Sequence, residues 1–416
     1  MTLVQLGLRA NARQFGLLVL ITALVGAMAG LERSVLPLVG KEEFGVTSRA
    51  AIVSFVAAFG VAKAIANLLS GQLAEQTGRK RVLVLGWLLV LPVGPVVAFA
   101  PSWGWIVGAN LLLGAGQGLA WSMTVVMKID LVGPARRGLA LGLNESAGYL
   151  GVAAAALGTG LVAGSVAPRT AVWAGAIVVA LLGLALSILP VRDTLGHVAS
   201  EQERHGGATV AGSLGRALSA SLHVPVLRAC SQAGFVNNLN DAVAWGLVPL
   251  YLAAGGASAR EIGVAAALYP AAWGLAQVGT GWLSDHVGRK FPIVAGMLVQ
   301  GVALVLLAAG GGELAPSLAA AAVLGVGTAL AYPTLIAAVS DAVTPVERAL
   351  SVGVYRFWRD SGFVAGAVVM GVAADVAGFG VALGATGALT ALSGLWAALV
   401  RFPRLEPSPS TRASRG

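Results

Sequence analysis

The sequence predicts an all-α membrane protein of twelve transmembrane helices, arranged as two pseudo-symmetric six-helix bundles. Three observations lead there. Hydrophobic residues make up 57% of the 416-residue chain and charged residues only 11%, against roughly 25% charged residues in a soluble domain. The apolar residues form long unbroken runs of about 20 residues, the length of a bilayer-spanning helix, and not the ~10-residue alternating segments of an outer-membrane barrel. Third, landmarks of the first half of the chain recur in the second.

Runs bounded by charges or by Pro and Gly clusters place spans 1 to 6 at 15–39, 48–73, 82–100, 103–127, 138–164 and 170–190. Spans 7 to 12 follow at 226–254, 260–283, 292–310, 315–339, 349–373 and 379–400. The first bundle thus covers 1–190 and the second 226–402. Between them 191–225 is a hydrophilic connector, and 403–416, with Pro403, Pro407, Pro409 and several serines, reads as a disordered tail. Arg9 and Arg13 precede an apolar run without a convincing cleavage site, read as a retained first span. With the N-terminus inside, only Lys41, Arg49, Arg169 and Arg260 fall in outer loops, so both termini are expected in the cytoplasm. The net charge of +9 is therefore a topology signal and not a nucleic-acid surface. Usage rich in Ala, Gly and Arg points to a bacterial source and its plasma membrane.

Several chemistries lack their residues. One cysteine, Cys230, excludes a disulfide framework. Four histidines, His197, His205, His223 and His286, none at ligand spacing, argue against a metal centre. No GxxxxGKS phosphate loop is present, and no nucleophile–base pair suggests an enzyme. No cofactor is expected.

Internal repetition is the most informative feature. Gly71-Gln72-Leu73-Ala74-Glu75-Gln76-Thr77-Gly78-Arg79-Lys80 matches Gly281-Trp282-Leu283-Ser284-Asp285-His286-Val287-Gly288-Arg289-Lys290 at an offset of 210. Gly114, Gly116, Trp121, Asp130, Arg137 and Gly142 align with Gly325, Gly327, Tyr332, Asp341, Arg348 and Gly353 at an offset of 211. A nearly constant offset across four helices means a duplicated six-helix half. Gly71 and Gly281 suit close helix approach, and Gly78 and Gly288 a tight turn. Asp130 and Asp341 sit at the inner ends of helices 4 and 10, within reach of Arg79 and Arg289. Either these residues gate, or they only fix topology.

With that motif in the loop after helix 2, its repeat after helix 8, and twelve spans, the chain resembles the major facilitator superfamily over its whole length. Glu75 stands where the family usually has Asp, whereas Asp285 keeps it. The resemblance implies that the two motif loops latch the halves when the cavity opens outward, with Glu75 and Asp285 facing the N-termini of helices 11 and 5. It also implies that helices 1, 4, 7 and 10 line a cavity, that 2, 5, 8 and 11 support it, and that 3, 6, 9 and 12 lie outside. The overall look is closest to drug/proton antiporters, although helix 5 keeps Gly142 and Gly151 without the Gly-Pro pair usual there.

Eight ionisable residues fall within the spans: Glu32, Arg33, Lys63, Glu145, Asp241, Arg356, Arg359 and Asp360. Each costs roughly 2.5–3.5 kcal/mol at a helix centre, so they are expected to be paired or hydrated in a central path. On helix 7, Asn237, Asn238 and Asp241 share one face by spacing. Asp241 is suited either to carrying a proton or to serving as a hydrogen-bond hub. On helix 11, Arg356 and Asp360 are four apart and expected to neutralise each other, leaving Arg359 for an anionic substrate or an internal network. Glu145 is the equivalent of Arg356 under the 211 offset, so the two are expected to pair across the pseudo-twofold axis. Lys63, with Asn67 and Ser70 on its stripe, is expected to pair with Glu32; the alternative is a snorkelling pair of Glu32 and Arg33. Gln117 and Trp121, Tyr269 and Trp273, and Tyr332 either line the cavity or fill helix contacts.

The function expected from this pattern is secondary active transport of a small molecule by alternating access. Proton-coupled efflux is the first reading. The alternatives are a proton-coupled symporter of a small organic anion, suggested by Lys63, Arg356 and Arg359, and a transporter-like sensor. The partners are the substrate, protons and the lipid bilayer, with no nucleic acid, and the protein is expected to be a monomer.

Overall fold

The computed structural model describes residues 7–132, 137–163, 165–197, 213–343 and 348–402. The expected tail at 403–416 lies outside these residues, as does most of the connector's polar stretch. The described residues form long helices joined by short turns. We number the twelve long elements α1 to α12. In the first half they are α1 (Ala12–Glu42), α2 (Ser54–Thr77), α3 (Arg79–Phe99), α4 (Trp103–Val132), α5 (Arg137–Val162) and α6 (Pro168–Ile188). In the second they are α7 (Pro225–Ala254), α8 (Ala259–Val287), α9 (Lys290–Ala309), α10 (Leu314–Asp341), α11 (Arg348–Ala377) and α12 (Phe379–Leu399). A connector helix, Leu214–His223, precedes α7.

Eight of these helices, α1 to α3, α6 and α9 to α12, are long and apolar enough to cross a membrane. The other four, α4, α5, α7 and α8, are as long, between 26 and 30 residues. They carry Gln117, Asn144, Glu145, Asn237, Asn238, Asp241 and Gln277, all buried in the protein. Their polarity is directed inward, which is what the bilayer requires of a polar span. The opposite pattern marks the outer layer: Leu85 and Leu88 of α3, Leu181 and Leu182 of α6, Val302 and Leu306 of α9, and Leu392 and Leu395 of α12 are exposed.

The duplication is visible in matched contacts. Gly86 on α3 meets the backbone of Gly116 on α4, and Gly296 on α9 meets that of Gly327 on α10, so that a methyl group at any of the four would collide with its neighbour. Gly78 and Gly288 end α2 and α8 with φ of +96° and +86°. An L side chain pays a steric cost there that glycine does not.

The halves meet along two seams, α2 against α11 and α5 against α8. The second is tightest at Gly160 and Gly263, where the backbones touch at the end remote from the motif loops (the far end). At the motif end the expectation for Gly71 and Gly281 is corrected: among the described residues nothing lies within 4 Å of a methyl placed at either, nor at Gly142 or Gly353.

Two boundaries moved in ways that matter. The first span is interrupted: one helix ends at Arg33, and after Ser34 and Val35 another runs Leu36–Glu42 with Pro37 in its first turn. α4 extends to Val132, past the expected end at 127, and carries Lys128 and Asp130 as helical residues.

Candidate functional site

α11 supplies the centre of the site. Arg359 is buried, and one of its terminal nitrogens lies 3.4 Å from Asp241 Oδ2 on α7 and donates to Tyr149 Oη at 3.4 Å. The other donates to Asp360 Oδ1 at 3.2 Å. The guanidinium carbon stands 4.1 Å from the centroid of the Tyr332 ring. Tyr269 Oη donates to Asp241 Oδ1. Asp360 also accepts from Asn67 on α2, and from Asn238 on α7 at 3.3 Å. One arginine thus sits between two carboxylates contributed by two helices, all shielded from lipid. A buried charge is tolerable only when so surrounded.

A second cluster lies beside it. Glu145 Oε1 accepts from Trp121 Nε1 and from Asn144 Nδ2, both at 3.1 Å, and its Oε2 accepts from Tyr332 Oη at 3.4 Å. Arg356 approaches the same carboxylate at 3.8 Å, joining the pseudo-symmetric positions on α5 and α11. Trp273 stacks on Tyr149 with ring centroids 3.5 Å apart.

Lys63 differs from the other charges. Its ammonium has no ion pair or hydrogen bond among the described residues. It stands 5.4, 5.5 and 5.6 Å from the ring centroids of Phe59, Trp121 and Phe363. The surrounding charges are Asp360, Arg359, Glu145 and Asp241.

Four expectations are corrected. Asp360 is neutralised by its neighbour Arg359 and not by Arg356, because the seam turns Arg356 toward α5. Lys63 does not pair with Glu32. Nor do Glu32 and Arg33 snorkel: both are at most 2% exposed. Asn237 points away from Asp241 and, with Asn240, donates to Gln300 Oε1 on α9 at 2.9 and 3.0 Å. Gln117 donates to the carbonyl of Val25 at 3.3 Å, in the interior of the first half.

Three residues escaped the sequence reading. Lys128 is fully buried and donates to Thr22 Oγ1 at 2.7 Å and to the Leu18 carbonyl at 3.2 Å. An α4 read through to Val132 would have counted it as intramembrane. Tyr149 lies four residues after Glu145 and three after Ser146, a helical spacing that puts it on their face and could have signalled it. Asn144, beside Glu145, binds it and accepts from Thr22 at 3.2 Å.

In the motif loops, Arg79 lies 3.5 Å from Asp130 and Arg289 2.8 Å from Asp341, the same pair in each half. Thr194 adds a hydrogen bond to Asp130 at 2.6 Å. Asp193 accepts from the Lys80 backbone N–H at 2.8 Å, fastening the start of the connector to the first motif loop. The side chains of Glu75 and Asp285 lie outside the described residues. Among the described residues no group of three or more His, Cys, Asp or Glu side chains is placed to hold a metal ion.

The sequence profile of the Major Facilitator Superfamily matches residues 18–235 and 230–416, one match over each half. The chain belongs to the Major Facilitator Superfamily. Superfamily members are transporters, and the repeated halves seen here are each recognised by the one profile. A "probable 4-methylmuconolactone transporter" of Cupriavidus pinatubonensis (strain JMP 134 / LMG 1197) is 30% identical over 141 residues, 33% of this chain and 31% of that relative. The matched region spans about a third of the relative's length.

Proposed function

We propose that this superfamily member is a proton-coupled symporter of a small organic anion, with both termini in the cytoplasm of a bacterial cell and acting as a monomer. The observation that carries the reading is Lys63. Six ionisable groups meet between the halves, three cationic (Lys63, Arg356, Arg359) and three anionic (Glu145, Asp241, Asp360). Arg356 takes Glu145, and Arg359 is shared by Asp241 and Asp360. Lys63 remains, its charge resting on aromatic faces. Such a cation accepts a carboxylate directly, and the flanking rings cover an apolar or unsaturated body.

Coupling follows from charge balance. With Arg33 offset by the adjacent carboxylate of Glu32, a carboxylate bound at Lys63 leaves Asp241 and Asp360 with one negative charge more than the remaining cations beside them can match. In a site this dry, a proton on one of the two removes the excess. Asp241 is the better candidate. It faces Arg359 and Tyr269 directly, with Lys63, Asp360 and Arg33 beyond them. The absence of the Gly-Pro pair from α5 also favours symport over the efflux antiport that the overall look of the sequence suggested.

Alternating access is supported by the glycines. Gly160 and Gly263 close the far end, whereas Gly71, Gly142, Gly281 and Gly353 leave room at the motif end. These four form two symmetry-related pairs, on the four helices that make the seams. Rocking the halves about the central site would bring these surfaces together and part the far end.

The relative's name makes a lactone one candidate substrate. The test is uptake into proteoliposomes with an imposed proton gradient, using radiolabelled 4-methylmuconolactone and a panel of small carboxylates. Symport predicts accumulation when the substrate side is acid, lost in Lys63→Gln. Accumulation driven by a gradient of the opposite sense would establish antiport, and would overturn the proposal.

A further inference from the structure

A second cation without an ion pair among the described residues lies on the far-end side of Lys63. Arg33 terminates the first segment of α1, immediately before the interruption at Ser34 and Val35. It is fully buried, and its guanidinium carbon lies 4.7 Å from the Trp245 ring centroid, 4.8 Å from that of Phe59 and 5.8 Å from that of Phe55. Among the described residues its Nε and both terminal nitrogens have no hydrogen-bond partner, and neither has the indole N–H of Trp245. Glu32, one residue earlier, makes no salt bridge with it among the described residues, and its carboxylate oxygens are likewise unpartnered there, although its charge lies close enough to act on Arg33. Among the described residues, then, several buried donors around Arg33 and Trp245 have no acceptor within hydrogen-bonding distance, and the carboxylates of Glu32 and Asp241 act on Arg33 through their charge alone. Unmade bonds of this kind are costly, and an anionic oxygen would satisfy them.

We propose that Arg33 and the Trp245 indole N–H form a second carboxylate-binding station, and that the transported anion is a small dicarboxylate held between this station and Lys63. The inference rests on the organic-anion reading above. Phe59 connects the two stations: Arg33 lies 4.8 Å and Lys63 5.4 Å from the centroid of its ring. The two cations are therefore no farther apart than those distances combined, which a short carbon chain with a carboxylate at each end can bridge. Phe363 packs edge-on against Phe59, and Trp245 stacks on Phe363, both with centroids 5.5 Å apart. Together they form an aromatic wall along which the chain would lie.

The experiment is calorimetric titration of the purified full-length protein with succinate, glutarate and adipate, and with butyrate and hexanoate as single-carboxylate counterparts. One of the diacids should bind roughly tenfold or more tightly than the monocarboxylates, the gain expected of a second charge-assisted contact. Arg33→Gln should erase that preference while monocarboxylate binding persists, which also shows that the variant is folded. Trp245→Phe keeps the ring, loses the N–H, and should reduce the preference in part. Lys63→Gln should abolish binding of both classes. Loss in Lys63→Gln with an unchanged diacid preference in Arg33→Gln would overturn this inference and leave the anion reading standing. No diacid preference in the unaltered protein would also overturn it. Unchanged binding in Lys63→Gln would instead strike at the anion reading itself.

Discussion

Neutralising Glu145 and neutralising Arg356 should have unequal costs, although the two form one ion pair. Glu145 accepts from Trp121 and Asn144 at 3.1 Å and from Tyr332 at 3.4 Å, whereas Arg356 contacts it at 3.8 Å. In Arg356→Gln the carboxylate keeps three donors, so the loss should be about 1 kcal/mol, that of a modest polar contact. In Glu145→Gln the guanidinium loses its one carboxylate and its Nε is already unpartnered. Stranding a buried charge costs about 3–5 kcal/mol, and because the Arg356 side chain keeps 16% exposure the lower end is expected. The double variant Glu145→Gln/Arg356→Gln should be less costly than the sum of the two, since no charge is stranded. Exchanging the charges, the rescue that symmetry alone recommends, should fail. It would place a guanidinium against the indole N–H, the amide and the phenol that now donate to Glu145. The assay is urea unfolding in detergent, followed by far-UV circular dichroism, with counterflow measured on the same preparations. Equal costs for the two single variants, strict additivity, or full recovery by the exchange would refute the reasoning.

Two further outcomes follow. Asp241→Asn should uncouple transport: proton-driven accumulation is lost while exchange of labelled for unlabelled substrate across the membrane continues, and loss of exchange as well would give Asp241 a different role. Gly142→Leu and Gly353→Leu should hold the motif end apart, because the space beside each is open here but would be needed for closure; cysteine labelling at the motif end should rise and counterflow fall, and normal turnover in both variants would count against closure at these positions.

How much of this was legible in the sequence varies with how local the cause is. Hydropathy runs, basic loops and the 210–211 offset reflect properties that each segment carries alone: whether it tolerates hydrocarbon, which side it prefers, and which ancestor it shares. The fold class, the pairing of Arg79 with Asp130 and Arg289 with Asp341, and the meeting of Glu145 with Arg356 were accessible that way. The last came from symmetry, since equivalent residues near a twofold axis are neighbours across it.

Other features depended on distances between helices that no spacing rule encodes. Helical periodicity puts Arg356 beside Asp360, yet Arg356 reaches across to Glu145 on α5, while Asp360, where α2 packs against α11, goes to Arg359 and Asn67. Asn237 and Asp241 share a face in a helical projection, but α9 lies close enough to capture Asn237 through Gln300. The isolation of Lys63 and Arg33 on aromatic faces is visible only after α1, α2, α4, α7 and α11 are assembled. From sequence alone, burial of these charges could be inferred because hydrocarbon will not hold them. Which of them finds a partner is a property of side chains meeting from different helices, and only the assembled structure decides it.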